Sequence, residues 1–474
     1  MDYIENRTFD EIQIGDTASL ERTLTRKDID LFAVMSGDVN PAHVDEEFAR
    51  SDIFKELIAH GMWGGALIST LLGTKLPGPG TIYLGQTLRF RRPVTLGDKI
   101  TVSVRATAKE EQKRRVTFDC QCVNQHGEIV ISGMAEVMAP GEKIKRPRVI
   151  MPDIQFQNHG QKHRELIAST EGLEPVRTAV IYPVGKHSLL GAIDAAQANL
   201  IHPVLIGPAE KMRSVAHSEG LDIASFELID VAQSQQAAAY GVDMAQAGKV
   251  EALLAGTLPA EELMQRVTAR ESGLTTERRM SHVFAIDVSS YPRLMFITDA
   301  GINIYPGLEE KRDIVQNAID LAQTLGIMVP KVAILSSVER VKSRIRSTLE
   351  AAALCKMVDR GQITGGVVDG PLGFDSAVSE DAARIKGIVS PVAGQADILV
   401  VPDLESGTML VKQQEYMAEA RSAGVVIGAR VPIALTYRSS HPLGIMASCA
   451  LALLLARREQ PPHTEIGIEE LLIH

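Results

Sequence analysis

The chain is 474 residues long, which allows three or four folding units and makes a single domain unusual. Hydrophobic residues at 45% and charged residues at 23% match a globular composition and exclude a fibrous repeat or extensive disorder. The balance of 49 Lys+Arg against 59 Asp+Glu gives a net charge of −10, so neither nucleic acid nor an anionic membrane is an expected partner. The first residues, MDYIEN, are acidic and carry no signal pattern. The apolar run 443–456 is too short to cross a bilayer, and a cytoplasmic location is expected. The four cysteines, at 120, 122, 355 and 449, lack metal-ligand spacing. They read as reduced thiols, with neither a metal site nor a disulfide expected.

In chain order, GMWGGALISTLLGTKL (61–76) is apolar nearly all round and predicts a helix buried on several sides, with Gly64, Gly65 and Ala66 permitting close approach of strands. From 81 to 138 extended segments alternate with turns at Gly97-Asp98 and His126-Gly127. Period two in VTFDCQCV puts Val116, Phe118, Cys120 and Cys122 on one face, as a half-buried antiparallel strand requires. Residues 141–160, rich in proline and basic residues at their start, read as a linker. Beyond it, Val/Ile strands at 178–182, 203–206, 294–297, 331–335, 398–401 and 431–435 alternate with amphipathic helices. This predicts an α/β domain with a parallel sheet in two lobes that divide near residue 300.

In SGDVNPAHVDEEFA (36–49), Asp38 and His43 lie five positions apart, among Gly37, Asn40 and Pro41 that oppose a regular helix. A loop that turns both side chains to one point follows. A carboxylate and an imidazole sharing one water suit proton movement in a hydration reaction, although by spacing alone a cap or a surface hydrogen bond is the commoner role. This string, with AHGM (59–62), Ser69 and PGPGTIYLGQTLRF, resembles the MaoC-like, R-specific enoyl-CoA hydratase family over about residues 17–137. The resemblance implies an α+β hot-dog fold, a helix wrapped by antiparallel sheet, with Asp38 and His43 catalytic and Ser69 supporting them. It implies water addition to a trans-2-enoyl-CoA, giving an (R)-3-hydroxyacyl-CoA. The N–H of Gly61, at the start of the buried helix, is then the candidate donor to the thioester oxyanion. Asn40 orients the water or forms an Asx turn, and Arg89, Arg91 and Arg92 either neutralise CoA phosphates or form a solvated face.

Residues 160–474 carry no P-loop or Rossmann glycine fingerprint. GKVEALLAGTL, SHVFAID, ITDAGINIYP, VDGPLGFDSAV and VVPDLESGTML together resemble the phosphate acetyl/butyryl transferase family, which exchanges the CoA of an acyl-CoA for phosphate. That implies a two-lobed α/β transferase fold and a multidomain chain. Arg438 matches the arginine of the family's Ser-Arg pair and would clamp phosphate. Arg266 matches a second family arginine by spacing. Ser336 and Ser337 end a strand where a helix N-terminus would offer amides to an anion, and Asp369 lies at another strand end. Tyr437 stands where the family has serine and would crowd the thiol end of CoA. No aspartate occupies the following loop, SSHPLGIMAS, which leaves His441 as a base.

Two readings follow. In one the chain is a bifunctional enzyme acting on acyl-CoA, with CoA thioesters and inorganic phosphate as substrates and no tightly bound cofactor. In the other it is a hydratase with a non-catalytic acyl-CoA-sensing C-terminal domain. Both resemblances imply a homo-oligomer, a dimer or higher.

Overall fold

The computed structural model describes residues 3–149, 151, 154, 159–438 and 440–458. It forms two compact units, residues 1–154 and 155–474.

Among the described residues the first unit holds seven strands: β1 (Tyr3–Glu5), β2 (Thr17–Thr23), β3 (Ile82–Phe90), β4 (Lys99–Glu110), β5 (Arg115–Val123), β6 (Ile129–Met138) and β7 (Lys145–Pro147). Strands β2-β4-β5-β6-β3 form one antiparallel sheet. Its described α-helices are α1 (Arg26–Ser36), α2 (Pro41–Val44), α3 (Glu46–Ser51) and α4 (Gly61–Thr74). Alternation in β5 buries Val116, Phe118, Cys120 and Cys122 against α4, as the period-two pattern predicts. Burial pushes the thiols of Cys120 and Cys122 up to about 12, so both are inert core groups.

Helix α4 lies on the sheet because its glycines let it. A Cβ at Gly64 would sit 2.3 Å from Ile131 Cδ1, and one at Gly65 would sit 3.1 Å from Leu88. Ile68, Leu71 and Leu72 are fully buried, each worth roughly 1.5–3 kcal/mol of apolar transfer. The helix is not buried on several sides, however. Met62, Ala66, Ser69 and Thr70 form an exposed stripe at helical spacing, because only one face meets the sheet. Strand β3 is the sheet edge and exposes Ile82, Tyr83, Leu84 and Phe90. The linker expected at 141–160 also needs correction. Lys145–Pro147 pairs with Tyr3–Glu5 and so belongs to the first unit, while 150, 152–153 and 155–158 lie outside the described residues.

Among the described residues the second unit has one eleven-stranded sheet. Its strands are β8 (Val176–Ile181), β9 (Ile201–Gly207), β10 (Glu227–Asp230), β11 (Ala252–Ala255), β12 (Ser281–Asp287), β13 (Met295–Thr298), β14 (Lys331–Leu335), β15 (Val367–Leu372), β16 (Ile398–Val400), β17 (Arg421–Ile427) and β18 (Ile433–Ala434). The spatial order is β10-β9-β8-β11-β18-β17-β12-β13-β16-β14-β15. The sheet is mixed rather than parallel, since β12 runs against both β13 and β17, and β17 against β18. Nor does residue 300 separate two sheets. The chain crosses to the far strands at β12 and returns through β17 and β18, so its last strands fill the centre. These crossings reverse direction: β8 to β11 and β18 run one way, and β13 to β16 the other. The apolar run near the C-terminus is the helix Pro442–Ala456, packed in the core, and no described helix is long and apolar enough to cross a membrane.

Candidate functional sites

Thr25 and Asp28 close a capping box at the start of α1, and Gly37 ends that helix at φ 75°, a left-handed value that glycine adopts without a Cβ clash. The chain then turns through Asp38 into α2. His43 sits on this short helix rather than in an open loop, because Asn40 caps it and Pro41 supplies its first position. The Asn40 Oδ1 accepts from Ala42 N–H at 3.2 Å, so its side chain is committed to the turn.

His43 is 9% exposed, and its Nδ1 lies 2.9 Å from the Ile58 carbonyl oxygen. A carbonyl only accepts, so Nδ1 carries the proton and Nε2 keeps its lone pair. Asp38 is exposed. Its Oδ1 accepts from Asn40 N–H at 3.2 Å, and Oδ2 has no partner among the described residues. A third group joins them. His60, 3% exposed, donates Nε2–H to the Asp38 carbonyl oxygen at 2.9 Å and packs tilted against His43, with centroids 4.0 Å apart and planes at 34°. The sequence displays His60 inside AHGM, but nothing in its spacing from Asp38, 22 positions away, marks it as part of the site.

Asp38, His43 and His60 each offer one ligand atom within 4.8 Å of the others. That spacing is close enough for the three groups to share one water. His60 is also the N-cap of α4 and makes no side-chain cap there, and Gly61 N–H has no acceptor among the described residues. A Cβ at Gly61 would meet the Phe90 ring at 3.2 Å. Ser69 is exposed two turns further along α4, with no hydrogen bond to Asp38 or His43. Arg92 pairs with Glu128 at 3.2 Å, Arg91 donates to Ser132 at 3.4 Å, and Arg89 is exposed on β3.

In the second unit Arg438 follows β18 on an exposed turn, and no acid pairs with it among the described residues. Tyr437 does not stand free in a pocket. Its ring stacks on Phe284 (centroids 5.0 Å apart, 25°) under the Lys412 ammonium, 3.3 Å from the ring centre. Burial pushes its phenol up to about 12, and the hydroxyl has no well-formed hydrogen bond although Thr408 approaches it. Beside Arg438, Ser440 is 5% exposed and its Oγ has no partner among the described residues.

His441 is a poor base in this arrangement. Its Nδ1 accepts from Leu443 N–H at 3.2 Å as the cap of the helix Pro442–Ala456, and burial, Arg421 and His187 hold its pKa down. Ser336 and Ser337 do not lie at a helix N-terminus, since the next helix begins at Arg346. Ser336 instead shares a 2.8 Å hydrogen bond with Ser347. Asp369 accepts from Gly370 N–H at 2.8 Å within β15. Because β14 and β15 run opposite to β18, the C-terminal ends of β14 and β18 point in opposite directions along the sheet, so Ser336 and Ser337 do not converge on Arg438. Arg266 is exposed in the last turn of the helix Ala260–Val267.

A family model described as phosphate acetyl/butaryl transferase matches residues 234–453. A phosphate acetyltransferase of Rhizobium meliloti is 53% identical over 299 residues, spanning 63% of this chain and 95% of that protein. The chain belongs to the phosphate acetyl/butyryl transferase family. A phosphate butyryltransferase of Clostridium acetobutylicum is 37% identical over 62% of this chain and 97% of its own length. Among solved structures, a branched-chain phosphotransacylase from Enterococcus faecalis, 26% identical, aligns over 60% of this chain and 100% of its own with a TM-score of 0.52. The family's hallmark is therefore carried by the second unit, whereas a MaoC like domain model matches residues 11–124. An R-hydratase from Pseudomonas aeruginosa is 45% identical over 33% of this chain and 99% of its own, with a TM-score of 0.32.

Proposed function

We propose that the chain is a bifunctional acyl-CoA enzyme, hydrating trans-2-enoyl-CoA in its first unit and exchanging CoA for phosphate in its second. The hydration reading rests on one observation: the Ile58 carbonyl fixes the His43 tautomer, leaving a lone pair on Nε2 of a ring that is grouped with the Asp38 carboxylate. In this reading Asp38 and His43 hold a water. Nε2 takes its proton as the oxygen bonds to C3, and a proton returns to C2, giving the (R)-3-hydroxyacyl-CoA. Charge growing on the thioester oxygen meets Gly61 N–H at the positive end of α4.

The transfer reading rests on family membership. A phosphate oxygen attacks the thioester carbonyl, the C–S bond breaks, and acyl phosphate and free CoA leave. Arg438, exposed and unpaired among the described residues, is the group for the phosphate charge. The acyl-CoA-sensing alternative draws support from the missing aspartate and from the commitment of His441 to a helix cap.

One experiment separates the readings. The full chain is given acetyl-CoA or butyryl-CoA with phosphate, and crotonyl-CoA in a separate assay. Phosphate-dependent CoA release and loss of enoyl absorbance are the expected results. Binding without release would make the second unit a sensor, and no hydration would remove the first activity.

A further inference from the structure

We propose that His60 is a positioning residue for hydration, an inference that rests on the hydration reading above. Three contacts converge on this one ring. Its Nε2–H donates to the Asp38 backbone carbonyl at 2.9 Å, which ties the exposed loop between α1 and α2 to the start of α4. The His43 ring packs against it, tilted, with centroids 4.0 Å apart, and the Phe32 centroid lies 4.9 Å away. Gly61, whose N–H faces no protein acceptor among the described residues, is the next residue in the chain. A displacement of His60 would therefore move the carboxylate, the base and the oxyanion donor together.

The Asp38 contact also fixes the tautomer of the ring. With Nε2 donating to a carbonyl, Nδ1 of the neutral ring carries a lone pair, and that atom is buried with no hydrogen-bond partner. His60 thus acts through its neighbours and need not touch the substrate.

The test compares the full-length parent with His60→Phe and His60→Gln in crotonyl-CoA hydration, with melting curves as the check on folding. Phenylalanine keeps a ring face and loses the donor, whereas glutamine keeps an N–H for the Asp38 carbonyl. The expected result is a fall in kcat of about 100-fold for the Phe variant, as an ångström of misplacement produces, with KM little changed. The Gln variant should recover most of that loss. Turnover of all three within twofold, a Gln variant as poor as the Phe variant, or an effect confined to KM would each overturn the proposal. A parent that fails to hydrate overturns the hydration reading itself, and this inference with it.

Discussion

The Tyr437 ring stacks on Phe284 at a centroid distance of 5.0 Å, and the Lys412 ammonium lies 3.3 Å from the centre of the same ring. The side chain at the position of the family serine is therefore part of the packing beneath the helix Leu404–Met417. Tyr437→Ser should destabilise the second unit by about 1–3 kcal/mol through lost packing and stacking. Tyr437→Phe removes a hydroxyl without a well-formed hydrogen bond and should leave stability unchanged or slightly raised. Thermal melts of the full chain distinguish the two outcomes.

Asp38→Asn keeps the size of the side chain and removes its charge. Hydration of crotonyl-CoA should fall by about 10² to 10⁴, the usual share of positioned acid-base chemistry. Phosphate-dependent CoA release in the same preparation should stay within twofold of the parent. Parallel loss of both activities in a folded protein would argue against separate sites.

Arg438→Ala should weaken phosphate use without affecting folding, because the side chain is exposed and has no partner to lose among the described residues. A rise of about tenfold or more in the phosphate KM is expected where a charge-assisted contact is removed, with an unchanged melting temperature. Steady-state rates against phosphate concentration provide the measurement.

Two buried histidines set an acid limit on stability. Burial holds the pKa values of His163 and His282 below the ordinary value of 6.5; the Ala285 and Leu435 carbonyls oppose that shift. Below pH 6.5 the unfolded chain takes up protons that the folded chain refuses, so the stability present above 6.5 is lost as pH falls. The slope approaches about 1.4 kcal/mol per pH unit for each group. Chemical denaturation of the full chain between pH 8 and pH 5 should show this decline. His163→Gln or His282→Gln should flatten it, whatever its effect on stability at pH 8.

Gly64→Ala would place a methyl 2.3 Å from Ile131 Cδ1, and either the isoleucine or α4 must shift. A cost of about 1–3 kcal/mol is expected for overpacking such a contact. The lower melting temperature should come with slower hydration, since α4 carries Gly61 at its start. Unchanged hydration would show that the start of the helix is held independently of its packing.

Local chemistry was readable in the sequence wherever neighbours along the chain set the outcome. Period two placed Val116, Phe118, Cys120 and Cys122 inside, and the glycines of 61–76 marked where helix meets sheet. Residues 38–43 announced a carboxylate and an imidazole in one short segment. The sequence did not show that Asn40 and Pro41 would start a helix, because a cap and a breaker use the same residues. Long-range pairing decided the rest. His60 reaches Asp38 across 22 positions and Tyr437 reaches Phe284 across 153, contacts that no periodicity encodes. The return of β17 and β18 to the centre of the sheet makes the lobes continuous and sets Ser336 apart from Arg438. Strand direction depends on which distant segments share backbone hydrogen bonds, and only the folded chain fixes that choice.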